Sequence, residues 1–193
     1  VAGRTGLRDL SRASRPSMSP APLVEAKFVI PRRQSVTLRR TSLLRRLRAA
    51  RDRAVISIVA PPGYGKTSLL VQWATESPGP VAWLTADDSD SDPVALLTDL
   101  AAAIDRVVPL GTEIFVAIAS GAMSNRAVVG RLLAGLSRPS EGVRIVIDDG
   151  YRITSRSCLD ILAELVVHLP EGSQMAIAGR VRIRLPYARW RAQ

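Results

Sequence analysis

Residues 60–67 read Ala-Pro-Pro-Gly-Tyr-Gly-Lys-Thr. This matches G-x-x-x-x-G-K-[ST] at Gly65, Lys66 and Thr67, with Ala60 where the first glycine is usual. Glycines at 63 and 65 allow successive amide N–H groups to turn inward as a nest for an anion. A helix starting near Lys66 adds its positive end to the same point. Lys66 is then placed to reach the β- and γ-phosphates of a nucleotide, and the Thr67 hydroxyl to enter a magnesium shell. The candidate binding set is Pro62, Gly63, Tyr64, Gly65, Lys66, Thr67 and Ser68, with Tyr64 either near the nucleotide or facing solvent. An ordinary Gly/Pro turn is the competing reading, and the strand–loop–helix context argues against it.

A second candidate set lies about 80 residues on, where Val-Arg-Ile-Val-Ile leads into Asp148 and Asp149. Ligands of parallel sheets bind at the carboxyl ends of the strands. Asp148 suits Mg²⁺, directly or through water. Asp149 suits the orientation or deprotonation of an attacking water. Two acids after a strand are a weak signal alone; paired with the glycine loop they gain weight. Asp88, Asp90 and Asp92 form an acidic cluster ahead of Pro93, better suited to capping the next helix than to calcium, since Pro93 stands where a calcium loop needs glycine. One cysteine, Cys158, and one histidine, His168, exclude an intrachain disulfide framework and a cysteine- or histidine-rich zinc centre. Cys158 is expected as a small buried hydrophobe, His168 near a helix end, and Trp73 and Trp83 in core packing.

These residues must be carried by a sheet. Residues 54–60 are a continuous β-rich apolar run, as in a central parallel strand buried on both faces. A helix is predicted over 67–75 and a second strand over 80–86. Asp92-Pro93 then caps a helix with an apolar stripe from Leu96 to Val108, ended by Pro109 and Gly111. Residues 112–124 are ambiguous between a short helix and a loop. A further helix carries Val128, Val129, Leu132, Leu133 and Leu136; a third strand spans 143–147; a helical stripe runs from Leu159 to Leu169; a fourth strand spans 174–178. Leu38 to Arg48 reads as a short amphipathic helix with an arginine-rich face. Strands alternating with helices imply an α/β fold with a mainly parallel sheet.

The chain has 193 residues, 47% apolar and only 4% aromatic, enough for one domain with an aliphatic core. No apolar run is long enough to span a membrane, and no secretory h-region is present, so a cytoplasmic location is expected. The net charge of +10 is uneven. Residues 1–53 hold 14 basic and 3 acidic groups, residues 54–179 hold 8 and 14, and residues 180–193 hold five arginines and no acid. Residues 1–24, rich in Ser, Pro and Arg, read as a flexible tail, leaving 25–193 as the folded domain. Arginine outnumbers lysine 25 to 2.

Taken in order, PRR with LRRTSLL, VAPPGYGKTSLLVQWA, PVAWLTADDSDSDP, IVIDD, AIAGR and RLPYARWRA resemble one known family. The chain resembles the ATPase module of the STAND class, the signal-transduction ATPases with numerous domains. It is most similar to the module of large LuxR-type transcriptional regulators related to the maltose-regulon activator. The resemblance implies a three-layer P-loop NTPase fold binding ATP and Mg²⁺. It assigns Lys66 and Thr67 to phosphate and magnesium, Asp148 to the second acidic motif and Asp149 as its neighbour. It assigns Arg180 to sensing the γ-phosphate and Arg40 to the neighbourhood of the base or phosphates. It also implies the sheet order 5-1-4-3-2, a chain that stops before the fifth strand, DNA contact only through a C-terminal helix-turn-helix absent here, and self-association on activation. The sequence departs from the family pattern at Ala60, at Gly150-Tyr151 in place of Tyr-His, and at Gly179 in place of serine.

Two other functions fit the same residues: a P-loop ATPase outside transcription, and a non-catalytic fragment that binds partners or nucleic acid through its basic ends.

Overall fold

The continuous apolar runs become four short strands: β1 (Val55–Val59), β2 (Val81–Thr85), β3 (Arg144–Asp148) and β4 (Gln174–Gly179). The computed structural model describes residues 25–32 and 39–185. The tail expected over 1–24 and the segment from residue 186 onward lie outside the described residues. All strand pairs are parallel, in the order β1-β4-β3-β2. This is the 1-4-3-2 part of the order implied by the resemblance, with β1 at one edge. The register sets Val59 opposite Gly179, and Thr85 opposite Asp148. The carboxyl ends of all four strands therefore lie along one edge of the sheet, which is where a parallel sheet binds ligands.

Among the described residues six helices accompany the strands, one ahead of β1 and five between strands: α1 (Thr41–Ala49), α2 (Lys66–Glu76), α3 (Pro93–Asp105), α4 (Thr112–Ala119), α5 (Asn125–Leu136) and α6 (Arg156–Val167). The ambiguous stretch resolves into α4 and a loop. Gly111 adopts φ 85°, open to glycine, and the apolar Ile114 and Ile118 then bury one helical face. Asp92 caps α3 by accepting from the Val94 and Ala95 amides, with Pro93 at the first helical position.

Alternation along the strands divides the core. Ala82, Leu84, Ile145, Ile147, Met175 and Ile177 pack with the buried stripes of α3 to α6. Trp83, Val146, Ala176 and Ala178 point the other way, against α1 and α2. The result is three layers, helices on both faces of a parallel sheet, as expected for a P-loop NTPase-like α/β fold. Alanines at 176 and 178 leave the space that Leu70, Val71 and Trp73 of α2 fill. Each fully buried Leu in these layers contributes about 1.5–3 kcal/mol relative to exposure. At the opposite edge of the sheet the turns before β3 and β4 touch. A Cβ on Gly142, which has φ 67°, would lie 2.3 Å from the Gly172 carbonyl carbon. No helix among the described residues is long and apolar enough to cross a membrane.

Residues 25–32 run beside the β2 edge. The Thr85 amide donates to the Lys27 carbonyl at 2.9 Å, and Phe28 is buried in the core.

Candidate functional site

The loop between β1 and α2 turns as the glycines require, with Gly63 at φ 79° and Gly65 at φ 69°. Gly65 occupies the cap position of α2, so the first amides of that helix face the loop. The Lys66 ammonium folds back and donates to the Ala60 carbonyl at 2.9 Å and the Pro61 carbonyl at 3.1 Å. Ala60 does not disturb the turn: it does not adopt the positive φ that would call for glycine, and its amide donates to the Gly179 carbonyl at 3.3 Å.

Thr67 and Asp148 are 81 residues apart in sequence, and the Thr67 hydroxyl donates to Asp148 Oδ2 at 2.6 Å. Asp148 is only 3% exposed. Burial raises its carboxyl above the ordinary range, while the Thr67 hydroxyl and Lys66 pull the other way. The other oxygen, Oδ1, accepts from the Asp149 amide at 3.0 Å. Asp149 is the only non-glycine among the described residues in the left-handed region, at φ 53°. Aspartate tolerates that conformation, and it brings Asp149 to the wall of the cleft.

That cleft, about 310 Å³, is lined by Pro62, Gly63, Gly65, Lys66, Thr67, Asp149 and Arg180. Most of the residues singled out from sequence therefore meet in one place. Arg40 joins from the start of α1: a Cβ on Gly65 would lie 3.2 Å from an Arg40 guanidinium nitrogen, and the Arg40 amide donates to Gln72 at 3.3 Å. Arg39 and Arg48 both pair with Glu76 of α2, which ties α1 to the helix behind the loop. Tyr64 is 60% exposed and Ser68 is half-buried, and neither lines the cleft. Tyr64 takes the solvent-facing alternative. No group of three or more His, Cys, Asp or Glu side chains among the described residues is arranged to hold a metal alone. A magnesium site of the kind the sequence suggests needs only one hydroxyl and one carboxylate, the remaining positions going to phosphate oxygens and water.

Two features, one at the cleft and one away from it, were not legible in the sequence. A short 3₁₀ turn, Gly150–Arg152, follows Asp149. It sets the Tyr151 ring beneath Arg180, whose guanidinium carbon lies 5.2 Å from the ring centre. The other is Lys27. Its ammonium binds Asp90 at 2.9 Å, Asp87 at 3.1 Å and also Asp99. The acidic cluster thus does more than cap α3. A signal existed: lysines in this arginine-rich chain stand only at 27 and 66. A compact ammonium can face three carboxylates at once, which a planar guanidinium fork cannot. Elsewhere Cys158 is buried and His168 closes α6, as expected.

No family model matches the chain. Among curated proteins it is 31% identical over 177 residues to the serine/threonine-protein kinase PknK of Mycobacterium tuberculosis, covering 89% of this chain and 16% of that protein. It is 30% identical over 178 residues to the HTH-type transcriptional regulator MalT of Yersinia pestis, covering 89% of this chain and 19% of the regulator. MalT of Yersinia enterocolitica is 29% identical over 160 residues, 82% of this chain and 18% of that protein. The chain thus spans less than a fifth of the length of the curated relatives it matches. The matches over most of its length, together with a parallel α/β fold built around a glycine-rich loop, identify it as a MalT-like module.

Proposed function

We propose that this module is a nucleotide switch: residues 60–67 cradle the phosphates of ATP, and binding, with slow hydrolysis, sets how long the active state persists. The observation that carries this reading is the Thr67–Asp148 hydrogen bond at the mouth of a loop whose amides face inward. Such a pair fits Mg²⁺, with the Thr67 hydroxyl as a direct ligand and Asp148 acting directly or through water. When bound, Mg²⁺ would neutralise part of the phosphate charge. Lys66 exchanges the Ala60 and Pro61 carbonyls for phosphate oxygens, a stronger charge-assisted bond. Asp149 lines the same cleft and can orient a water. Arg180, which also lines the cleft, can distinguish a third phosphate from its absence, which is the differential binding a switch requires. Arg40 lies against Gly65 and can reach the phosphates or the base.

Relatives named as HTH-type transcriptional regulators support a role inside a longer regulator, with DNA contacted by a separate helix-turn-helix; self-association on activation belongs to the same proposal and rests on the family resemblance alone. The test is a titration with a fluorescent ATP analogue and Mg²⁺. The chain should show saturable binding, and Lys66→Ala should weaken it about 10- to 150-fold, the value of one charge-assisted hydrogen bond of about 1.5–3 kcal/mol. Equal affinities in the two proteins would refute the assignment.

A further inference from the structure

Three departures from the family pattern, Gly150, Tyr151 and Gly179, meet at one point in space. A Cβ on Gly179 would lie 3.2 Å from Tyr151 Cβ and 3.0 Å from the Val181 carbonyl oxygen. A Cβ on Gly150 would lie 2.6 Å from a methyl of Ile177. Glycine at both positions is what lets the turn settle onto β4 and bring the Tyr151 ring close. The turn is held from the other side. The Ser91 hydroxyl donates to the Arg152 carbonyl at 2.9 Å and accepts from the Thr154 amide at 3.0 Å, and Arg152 pairs with Asp88 at 2.9 Å. Arg152 also lies 5.6 Å from the Tyr151 ring centre. The ring is thus fixed by residues remote from the cleft, and Arg180 rests on it at 5.2 Å. Among the described residues Arg180 makes no hydrogen bond or ion pair; it rests on the aromatic face of Tyr151.

We infer that Tyr151 is a positioning residue for Arg180, and that Gly150 and Gly179 make room for it. The inference rests on the nucleotide reading above. The π face holds the guanidinium at the cleft wall without consuming its N–H donors, all of which stay available to a third phosphate. A carboxylate partner would hold the arginine as firmly but would compete for those donors. Loss of the ring therefore lowers the preference for ATP over ADP, since ADP has no third phosphate for Arg180 to read.

The affinities of Mg²⁺·ATP and Mg²⁺·ADP should be measured for the wild-type chain, Tyr151→Leu, Tyr151→Phe, Gly179→Ser and the Gly179→Ser/Tyr151→Leu double variant. Tyr151→Leu should cut the ATP-to-ADP preference about two- to fivefold, the value of a cation–π contact near the surface. ADP affinity should stay constant, which also shows that the variant folds. Tyr151→Phe keeps the aromatic face and should restore the preference. Gly179→Ser crowds Tyr151 at its Cβ and backbone, shifts the turn that carries the ring and should reproduce the loss, and the double variant should lose no more of the ATP-to-ADP preference than either single change. An unchanged ratio in Tyr151→Leu, equal losses for ATP and ADP, or a wild-type chain that does not separate the two nucleotides would overturn the inference while leaving nucleotide binding intact. Failure of the wild-type chain to bind either nucleotide would overturn both.

Discussion

Replacing Lys27 with methionine keeps the length of the side chain and removes its charge. Lys27 is 12% exposed and stands among Asp87, Asp90 and Asp99, and Asp90 is fully buried. Asp90 Oδ1 has no hydrogen-bond partner among the described residues, and Oδ2 keeps only the Asp87 amide once the ammonium is gone. Removing one member of a buried ion pair costs about 3–5 kcal/mol, because the other charge is left uncompensated. Asp99 can relieve part of this by holding a proton. Burial, the largest influence, together with the nearby Asp90, already keeps its carboxyl above the ordinary range against the pull of Lys27. The lower end, about 3 kcal/mol, is therefore expected. In a chain of this length that is a fall of about 6–12 °C in melting temperature. The sign of the pH dependence follows. A carboxyl whose folded pKa is raised stabilises the fold in its protonated form, and that contribution is lost as pH rises through the folded value. Without Lys27 the pull that opposes burial at Asp99 is gone, so the deficit should shrink between neutral pH and about pH 5. Circular-dichroism melts at both pH values measure this, and Asp90→Asn added to Lys27→Met should recover part of the loss. A fall of less than about 2 °C at neutral pH, under 1 kcal/mol for this chain length, would refute the placement of a buried charge cluster between residue 27 and α3.

Asp148 should show the same sign without any partner being removed. Its carboxyl is raised chiefly by burial, so without nucleotide the chain should lose stability as pH climbs above the ordinary aspartate range, and Asp148→Asn should flatten that slope in urea unfolding; parallel slopes would contradict it. Asp92→Ala removes a side chain that accepts from two amides of α3 and should cost about 1 kcal/mol of stability with nucleotide affinity unchanged. Arg40→Ala should weaken nucleotide binding without a comparable loss of stability, since the guanidinium lies against Gly65 and the residue is only partly buried; unaltered affinity in a titration would place Arg40 outside the site.

The strands and the glycine loop were legible because each depends on local pattern. An apolar run such as residues 54–60 has few other uses in a chain this charged, and Gly63, Gly65, Lys66 and Thr67 are contiguous. The meeting of Thr67 with Asp148 was legible through topology, since parallel strands bring their carboxyl ends to one edge. What stayed hidden depends on side chains meeting from distant segments. Lys27 lies 72 residues from Asp99, and nothing local marks it beyond the scarcity of lysine. Tyr151 looked like a simple departure from a family pattern, because its meaning depends on Gly179, on a neighbouring strand. Tyr64 shows the opposite limit: membership of the loop sequence does not bring a side chain to the cleft, because the turn at Gly63 and Gly65 aims it outward.

The central claim is that the β1–α2 loop, with Asp148 behind it, holds a magnesium-bound triphosphate. The most direct measurement is the melting temperature of the chain with ATP and Mg²⁺, compared with ATP and a chelator. Ligand at about 100 times its dissociation constant adds about 2.7 kcal/mol, which for this length is a rise of about 5–11 °C. That rise, lost on chelation and reduced by half or more in Lys66→Ala at the same ATP concentration, is the predicted result. A melting temperature indifferent to millimolar Mg²⁺·ATP would contradict it.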